Sequence, residues 1–166
     1  MRRASVLLGA AALLAGCAAP SPPGDPVRDA AAAVTTLSPA QVVAQKAKGV
    51  LVRWAGGIAR VEAQEGGRDC FVLRYGRLDA EGTVHWPQDY KDWQPFVACG
   101  KGRYDRELVE EFTVLTFEGR VVDWRSVSGR SAPVIEISSV FRHSDCVQTT
   151  ETNVPPRCRP SFLLPR

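Results

Sequence analysis

The stretch VLVRWAGGIARVEA, residues 50–63, decides the fold of this chain. Apolar and polar residues alternate along it, so Val50, Val52 and Trp54 share one face of a predicted strand. Gly56-Gly57 permits a bend or bulge, and the strand pattern resumes over residues 58–63. A long strand with a local irregularity is therefore expected here.

Short strands and turns follow on both sides of this stretch. A helix is predicted from Ser38, because Pro39 suits its first position, Gln41 completes a capping box and Gly49 can end it. A second helical turn or two is predicted over residues 104–112 from the spacing of apolar residues. Further strands are expected at residues 70–75, 83–86, 94–99, 112–117, 120–127 and 133–141, with turns at 64–67, 79–82 and 128–130 and a hairpin about Glu118-Gly119.

These elements predict an all-β fold with little helix. Three strands, a short helix and then two or three strands is the order of a small Greek-key barrel of OB type with one or two short helices. A β-sandwich is the alternative, because seven short strands would also fit that architecture.

The N-terminus has the pattern of a bacterial lipoprotein signal. Arg2 and Arg3 precede an uncharged run over residues 4–16, which is too short to span a membrane as a helix, and Gly16-Cys17 has the small residue and the cysteine of the processing site. Cleavage would make Cys17 the first residue, with a diacylglycerol on its sulfur and usually a further acyl chain such as palmitate on its amine. Two or more acyl chains hold a protein at a membrane stably. Ala18 follows in place of the Asp that retains enteric lipoproteins at the inner membrane, so we expect a lipid-anchored protein on the periplasmic face of the outer membrane of a Gram-negative bacterium.

The expected organisation has four parts. They are a signal peptide (1–16), the lipidated Cys17 with a Pro/Ala-rich flexible tether (17–37), the β domain (38–142) and a disulfide-closed tail (143–166). Removal of the signal peptide leaves 19 basic residues against 18 acidic ones, a formal charge of +1. This near neutrality does not indicate a nucleic-acid partner.

Several segments resemble the Slp family of starvation-inducible outer-membrane lipoproteins. The segment VRWAGGIARVE, residues 52–62, is similar to the opening Val-Arg-Trp-Gly-Gly of that family, with Ala55 in place of its first glycine. Weaker similarities follow at residues 75–79 with Gly82, at 96–98 and at 133–134. The resemblance implies a divergent member with the family's location and fold, and a structural or protein-interaction role in the cell envelope, since the family has no established enzymatic activity.

Four cysteines remain after Cys17, and an oxidising compartment would allow them to pair. Three pairings are possible in principle, of which Cys70–Cys99 and Cys146–Cys158 are favoured because each closes its own segment. Their spacing is not that of a zinc site, so no metal is expected.

No catalytic site or cofactor site is predicted. His143, Ser144 and Asp145 are adjacent in an extended segment, where neighbouring side chains point to opposite sides and do not converge as a triad. The chain has no nucleophile elbow and no phosphate-binding loop.

Aromatic residues give the alternative to a purely structural role. Trp54, Trp86, Trp93 and Trp124, together with Tyr75 and Tyr90, are many for a small barrel, and the four tryptophans form a candidate ligand face. A periplasmic module that binds a glycan or an amphiphilic ligand requires at least two of them to be exposed together, whereas a core-filling role requires them to be buried.

Overall fold

The computed structural model describes residues 33–143 and 160–166. The predicted signal peptide, Cys17, most of the predicted tether, Cys146 and Cys158 lie outside the described residues. No helix within the described ranges is both long enough and apolar enough to cross a membrane.

The described chain is mostly β, with one short helix. Helix α1 spans Pro39–Gln45, and a single 3₁₀ turn spans Tyr90–Asp92. The strands are β1 (Leu51–Gln64), β2 (Arg68–Leu78), β3 (Val84–His85), β4 (Pro95–Cys99), β5 (Val114–Val127), β6 (Arg130–Arg142) and β7 (Ser161–Phe162).

The strands form one mixed sheet that closes into a ring. Strand β1 pairs antiparallel with both β2 and β5, β2 pairs with β4, and β5 pairs with β6. The ring closes where β4 pairs in parallel with β6. The short β3 lies beside β2, and β7 lies beside β6. The prediction of a mostly β fold is therefore confirmed.

The core lies inside this ring and is rich in aromatic side chains. Trp54 contacts Phe96 edge-on with ring centres 5.3 Å apart, and Phe117 lies between Phe96 and Phe71 at 6.2 and 5.4 Å. Aliphatic residues from all the long strands fill the remaining space, including Val52, Ile58, Leu73, Leu115, Ile135 and Val140. Burial of these side chains is the main stabilising contribution to the fold.

Helix α1 begins as predicted and ends earlier. The Ser38 hydroxyl accepts from the Gln41 amide, and the Gln41 side chain accepts from the Ser38 amide, which completes the capping box. Lys46, in a left-handed conformation, ends the helix instead of Gly49. Ordered pairing also begins slightly before residue 38, because Thr35 forms a bridge with Val52.

The predicted hairpin about Glu118-Gly119 is wrong. Strand β5 continues through these residues, and the pairing with β6 shifts register between them. A Cβ on Gly119 would lie 2.4 Å from the carbonyl oxygen of Glu136, so this glycine allows a close approach of two strands. The chain turns instead at Ser128-Gly129, as predicted, where both residues have positive φ.

The second predicted helix, over residues 104–112, is also absent. This segment is irregular, and its apolar Tyr104 and Val109 are buried without helical periodicity. The fully buried carboxylate of Asp69 holds it, accepting from the Tyr104 amide at 2.8 Å and from Arg106 Nη2 at 2.7 Å. Tertiary hydrogen bonds therefore replace those that a helix would supply.

Cys70 and Cys99 lie directly opposite each other on β2 and β4 and form a disulfide. This is the first of the two favoured pairings. The end of the chain also docks on the domain, because β7 pairs with β6 and Leu163 is buried in the core.

Candidate binding surface

Two adjacent glycines on β1 separate the core from the outer face of the sheet. Gly56 points inward, where an added Cβ would lie 2.9 Å from Phe96 Cε1. A Cβ added at Gly57 would point outward instead, and its nearest neighbour would be the ring of Trp86 at 3.5 Å. On β2, a Cβ at Gly76 would lie 3.0 Å from the same ring. Trp86 therefore rests on bare backbone, and the absence of side chains at these positions makes room for it.

A cluster of aromatic rings is built outward from Trp86. Trp93 stacks beside it, with ring centres 6.4 Å apart and an interplanar angle of 26°. Tyr90 lies 5.5 Å from Trp93 and is 70% exposed. The 3₁₀ turn that places these rings is capped by Asp89, whose side chain accepts from the Lys91 amide.

A guanidinium group completes the cluster. Arg74 on β2 lies over the Trp93 ring at 4.8 Å and over the Tyr90 ring at 5.9 Å, distances at which a cation attracts an aromatic face. We refer to Arg74, Trp86, Tyr90 and Trp93 as the aromatic surface. It is not closed over by other described residues, since Trp86 remains 40% exposed.

A small apolar slot opens at one side of the aromatic surface. Its volume is about 270 Å³, and Gly57, Ile58, Arg74, Trp86, Trp93, Phe112 and Val114 line it. Phe112 is 69% exposed and has a φ of +67°, which is unfavourable for a bulky side chain. Its amide donates to the Ile58 carbonyl at 2.8 Å, and this bond helps to hold the ring outward.

A second, more polar cavity lies on the other side of Trp93, with a volume of about 350 Å³. We call it the arginine cleft, because Arg60, Arg74 and Arg130 line it together with Tyr90, Trp93 and Ser128. None of the described residues that line it is acidic.

A third and larger cleft, of about 890 Å³, lies beyond Trp86. His85 Nε2 and Asp79 Oδ2 are 2.7 Å apart there, and this contact with His85 lowers the pKa of Asp79, with a hydrogen bond from the Thr83 amide adding to the effect. Burial raises the pKa of Tyr75 above its usual value, so its phenol stays protonated at neutral pH. This polar cleft can therefore offer both hydrogen-bond donors and acceptors.

The structure brings two of the four predicted tryptophans together. Trp86 and Trp93 form the stacked pair, whereas Trp54 is only 2% exposed and its indole nitrogen donates to the Leu37 carbonyl at 2.8 Å. Trp124 is partly buried against the core, beside Val43 of α1. The candidate ligand face is thus reduced to Trp86 and Trp93, and it gains Arg74 and Tyr90.

Sequence reasoning singled out Tyr90 among the aromatic residues, but it missed Arg74 in the aromatic surface and Arg130 in the arginine cleft. Alternation along residues 70–75 predicts only that Arg74 lies on the strand face opposite Phe71, Leu73 and Tyr75, which is consistent with its outward position. Nothing in the local sequence indicates that Trp93 and Tyr90, which lie in a loop, fold back over that face.

The two histidines are not brought to one site. His143 Nε2 lies 2.7 Å from the Thr116 hydroxyl, and burial lowers the pKa of its ring, whereas His85 pairs with Asp79. Among residues 33–143 and 160–166, no three His, Cys, Asp or Glu side chains are grouped as metal ligands would be.

Comparisons with known proteins give little further guidance. No protein-family model and no curated protein matches the sequence. Among solved structures, the N-terminal domain of PriB protein from Thermoanaerobacter tencongensis is similar over 55% of this chain and 93% of its own, with 14% identity and a TM-score of 0.32. This likeness is too distant to support an argument about function.

Proposed function

We propose that this chain is a lipid-anchored envelope protein that binds a glycan on its aromatic surface. In this proposal it is a divergent relative of the Slp family, held by the lipid on Cys17 at the periplasmic face of the outer membrane, and its ring of strands is a Greek-key barrel of OB type. The pairing order supports that barrel assignment, because an antiparallel ring closed by one parallel pair is what a five-stranded Greek-key barrel requires.

The single observation behind the binding role is the stacked, part-exposed pair of Trp86 and Trp93. Tryptophans that only fill a core are buried as Trp54 is, with the indole N–H bonded inside the protein. Trp86 and Trp93 instead lie on the outer face of the sheet and present ring surface beside two cavities. Sugar rings have apolar faces that can pack on such rings and hydroxyl groups that can bond to the polar groups nearby.

A purely structural role in the envelope accounts less well for this arrangement. Exposed aromatic groups are costly to leave in water, and monomeric proteins tend to expose large apolar patches only where they bind something. Glycines at positions 57 and 76 leave the room that Trp86 occupies.

The test is binding of the purified full-length protein, in detergent, to an array of neutral and acidic oligosaccharides. We expect Trp93→Ala to weaken binding about tenfold or more, as removal of a central aromatic contact usually does. Trp124→Phe is the matched control, because Trp124 lies away from the aromatic surface, and it should bind normally. Lack of glycan binding by the unaltered protein, or full binding by a Trp86→Ala/Trp93→Ala double variant, would refute the proposal.

The anchor has its own test. Cys17→Ser should release the protein from membranes or leave an uncleaved precursor, because serine cannot form the thioether to lipid. Membrane fractionation and mass spectrometry of the N-terminus distinguish these products. A variant that is still cleaved and still membrane-bound through lipid would show that residues 14–17 are not a lipoprotein processing site.

A further inference from the structure

We infer that the arginine cleft binds the carboxylate of an acidic glycan, so that the ligand of the aromatic surface is a uronic-acid oligosaccharide and not a neutral one. This inference rests on the proposed function, because it names the ligand class for the same surface. It concerns the charge of the ligand, whereas the proposed function concerns its sugar rings.

The first argument is an imbalance of charge. Three arginines line the arginine cleft and no described acidic residue does. Only Arg60 is neutralised nearby, by Glu62 at 2.7 Å. Burial alone would raise the pKa of Glu62, but hydrogen bonds from Arg60 and Arg125 hold it below its usual value, so that carboxylate remains charged and engaged. Within the described part of the chain, Arg74 and Arg130 have no carboxylate partner.

The second argument is that Arg74 and Arg130 are already positioned. Arg130 Nη1 donates to the carbonyl oxygens of Lys91 and Trp93 at 3.0 and 2.6 Å, which fixes its guanidinium at the cleft and leaves its other donors available. The guanidinium carbon of Arg74 lies 4.8 Å from the centre of the Trp93 ring, and this cation–π contact holds the group at the cleft without using a hydrogen-bond donor. Little side-chain freedom would be lost when an anion binds.

The third argument favours a glycan over a nucleic acid. Binding of a nucleic-acid backbone requires a series of cations along a track. Here three arginines line the cleft, and acidic groups are interspersed with them, because Glu62 pairs with Arg60 and Asp89 and Asp92 belong to the 3₁₀ turn that carries Tyr90. A volume of about 350 Å³ is at the lower end for small-molecule sites, which suits a single charged group with one neighbouring ring.

The experiment compares ligands that differ only in charge. Each ligand is titrated into the purified full-length protein while tryptophan fluorescence is followed. The ligands are hexamers of galacturonic acid and of mannuronic acid, the fully methyl-esterified form of each, and hexathymidylate. We expect at least one acid to bind about tenfold or more tightly than its own ester, since a hydrogen-bonded charge pair is worth at least that factor. The preference should disappear as the salt concentration rises from 50 to 500 mM.

Matched variants locate the preference. Arg130→Gln, which lies outside the aromatic surface, should lower the affinity for the acid towards that for the ester and leave ester binding nearly unchanged. Arg74→Gln alters the aromatic surface as well, so it should weaken binding of both ligands and lower the affinity for the acid more than that for the ester. Arg74→Lys keeps the charge and loses the fork of donors, so it should retain part of the preference. Arg77→Gln is the control, because it removes the same charge from the same strand. Arg77 lines the larger cleft of about 890 Å³ and not the arginine cleft.

Each outcome decides the inference. Equal binding of the acids and their esters, with both lost in Trp93→Ala, would refute the inference and leave glycan binding standing. An acid preference that persists in both Arg74→Gln and Arg130→Gln would also refute it. Binding of hexathymidylate in preference to every sugar, or binding of no sugar at all, would overturn the inference and the proposed function together.

Discussion

Two aromatic clusters lie on opposite sides of the same strands in this protein, and they have opposite surroundings. Inside the ring, Phe96 contacts both Trp54 and Phe117 edge-on, and all three rings are excluded from water. Outside it, Trp86 and Trp93 stack nearly in parallel and remain partly exposed. In the inner cluster, the indole N–H of Trp54 donates to the Leu37 carbonyl. The outer cluster includes the Arg74 guanidinium, which has no carboxylate partner in the described part of the chain.

We interpret this contrast as a division between stability on the inner face and the proposed ligand binding on the outer face. In the core, packing of each ring against its neighbours accounts for its presence. On the outer face, the rings bury only part of their area, so their contribution to folding should be small. Substitutions in the two clusters should therefore separate stability from binding.

The largest expected effect comes from the inner cluster. Phe96→Ala should lower the free energy of unfolding by about 3–5 kcal/mol, because it removes a fully buried ring and leaves a cavity. Trp93→Ala, its counterpart outside, should cost about 1 kcal/mol or less. Urea unfolding of both variants, followed by circular dichroism, provides the measurement. Similar losses in the two variants would mean that the outer cluster is part of the folding core.

The next effect concerns the disulfide, which closes the loop that contains the outer cluster. Cys70 and Cys99 are separated by 29 positions, and Trp86, Tyr90 and Trp93 all lie between them. The double substitution to Ser should lower the free energy of unfolding by about 2–4 kcal/mol, mainly because the unfolded chain becomes less constrained. Chemical reduction of the unaltered protein serves as the control and should give the same loss. A double variant as stable as the oxidised protein would show that strand pairing alone holds this loop.

The smallest expected effect comes from the two adjacent glycines on β1. Gly56 lies beside Phe96 of the inner cluster, and Gly57 lies beside Trp86 of the outer one. Gly56→Ala should cost about 1–3 kcal/mol, because its Cβ would approach both the Phe96 ring and the Arg74 carbonyl oxygen to 3.0 Å or less. Gly57→Ala places its Cβ at an ordinary contact distance from Trp86 and should change stability by no more than about 0.5 kcal/mol. Thermal unfolding of the two variants, compared with the unaltered protein, provides the measurement. A larger loss for Gly57→Ala than for Gly56→Ala would contradict the inward and outward assignment.

Local patterns predicted the elements whose cause is local. Alternation placed the long strand from about residue 50, the capping box placed the start of α1, and paired glycines placed the turn at residues 66–67. These features depend on backbone preferences and on nearest neighbours, which a sequence shows directly.

The wrong predictions were places where a distant residue sets the conformation. Gly119 resembles a turn glycine, but it accommodates the carbonyl of Glu136 on a neighbouring strand. The apolar spacing over residues 104–112 resembles a helix, but buried Asp69, far away in the chain, binds the Tyr104 amide and the Arg106 side chain and so ties down the start of that segment. Neither partner is visible from the local pattern.

The candidate site also divides into features with a local cause and features that depend on distant residues. By itself, the sequence determined that four tryptophans, a pair of glycines and alternating strands would be present, and it indicated a lipidated Cys17. Only the tertiary structure decided that Trp54 is buried, that Trp86 lies on Gly57 and Gly76, and that the Arg74 guanidinium lies over the Trp93 ring. The physical reason is that alternation separates the two faces of a strand, while closure of the ring decides which face is inside and which loops fold over the other.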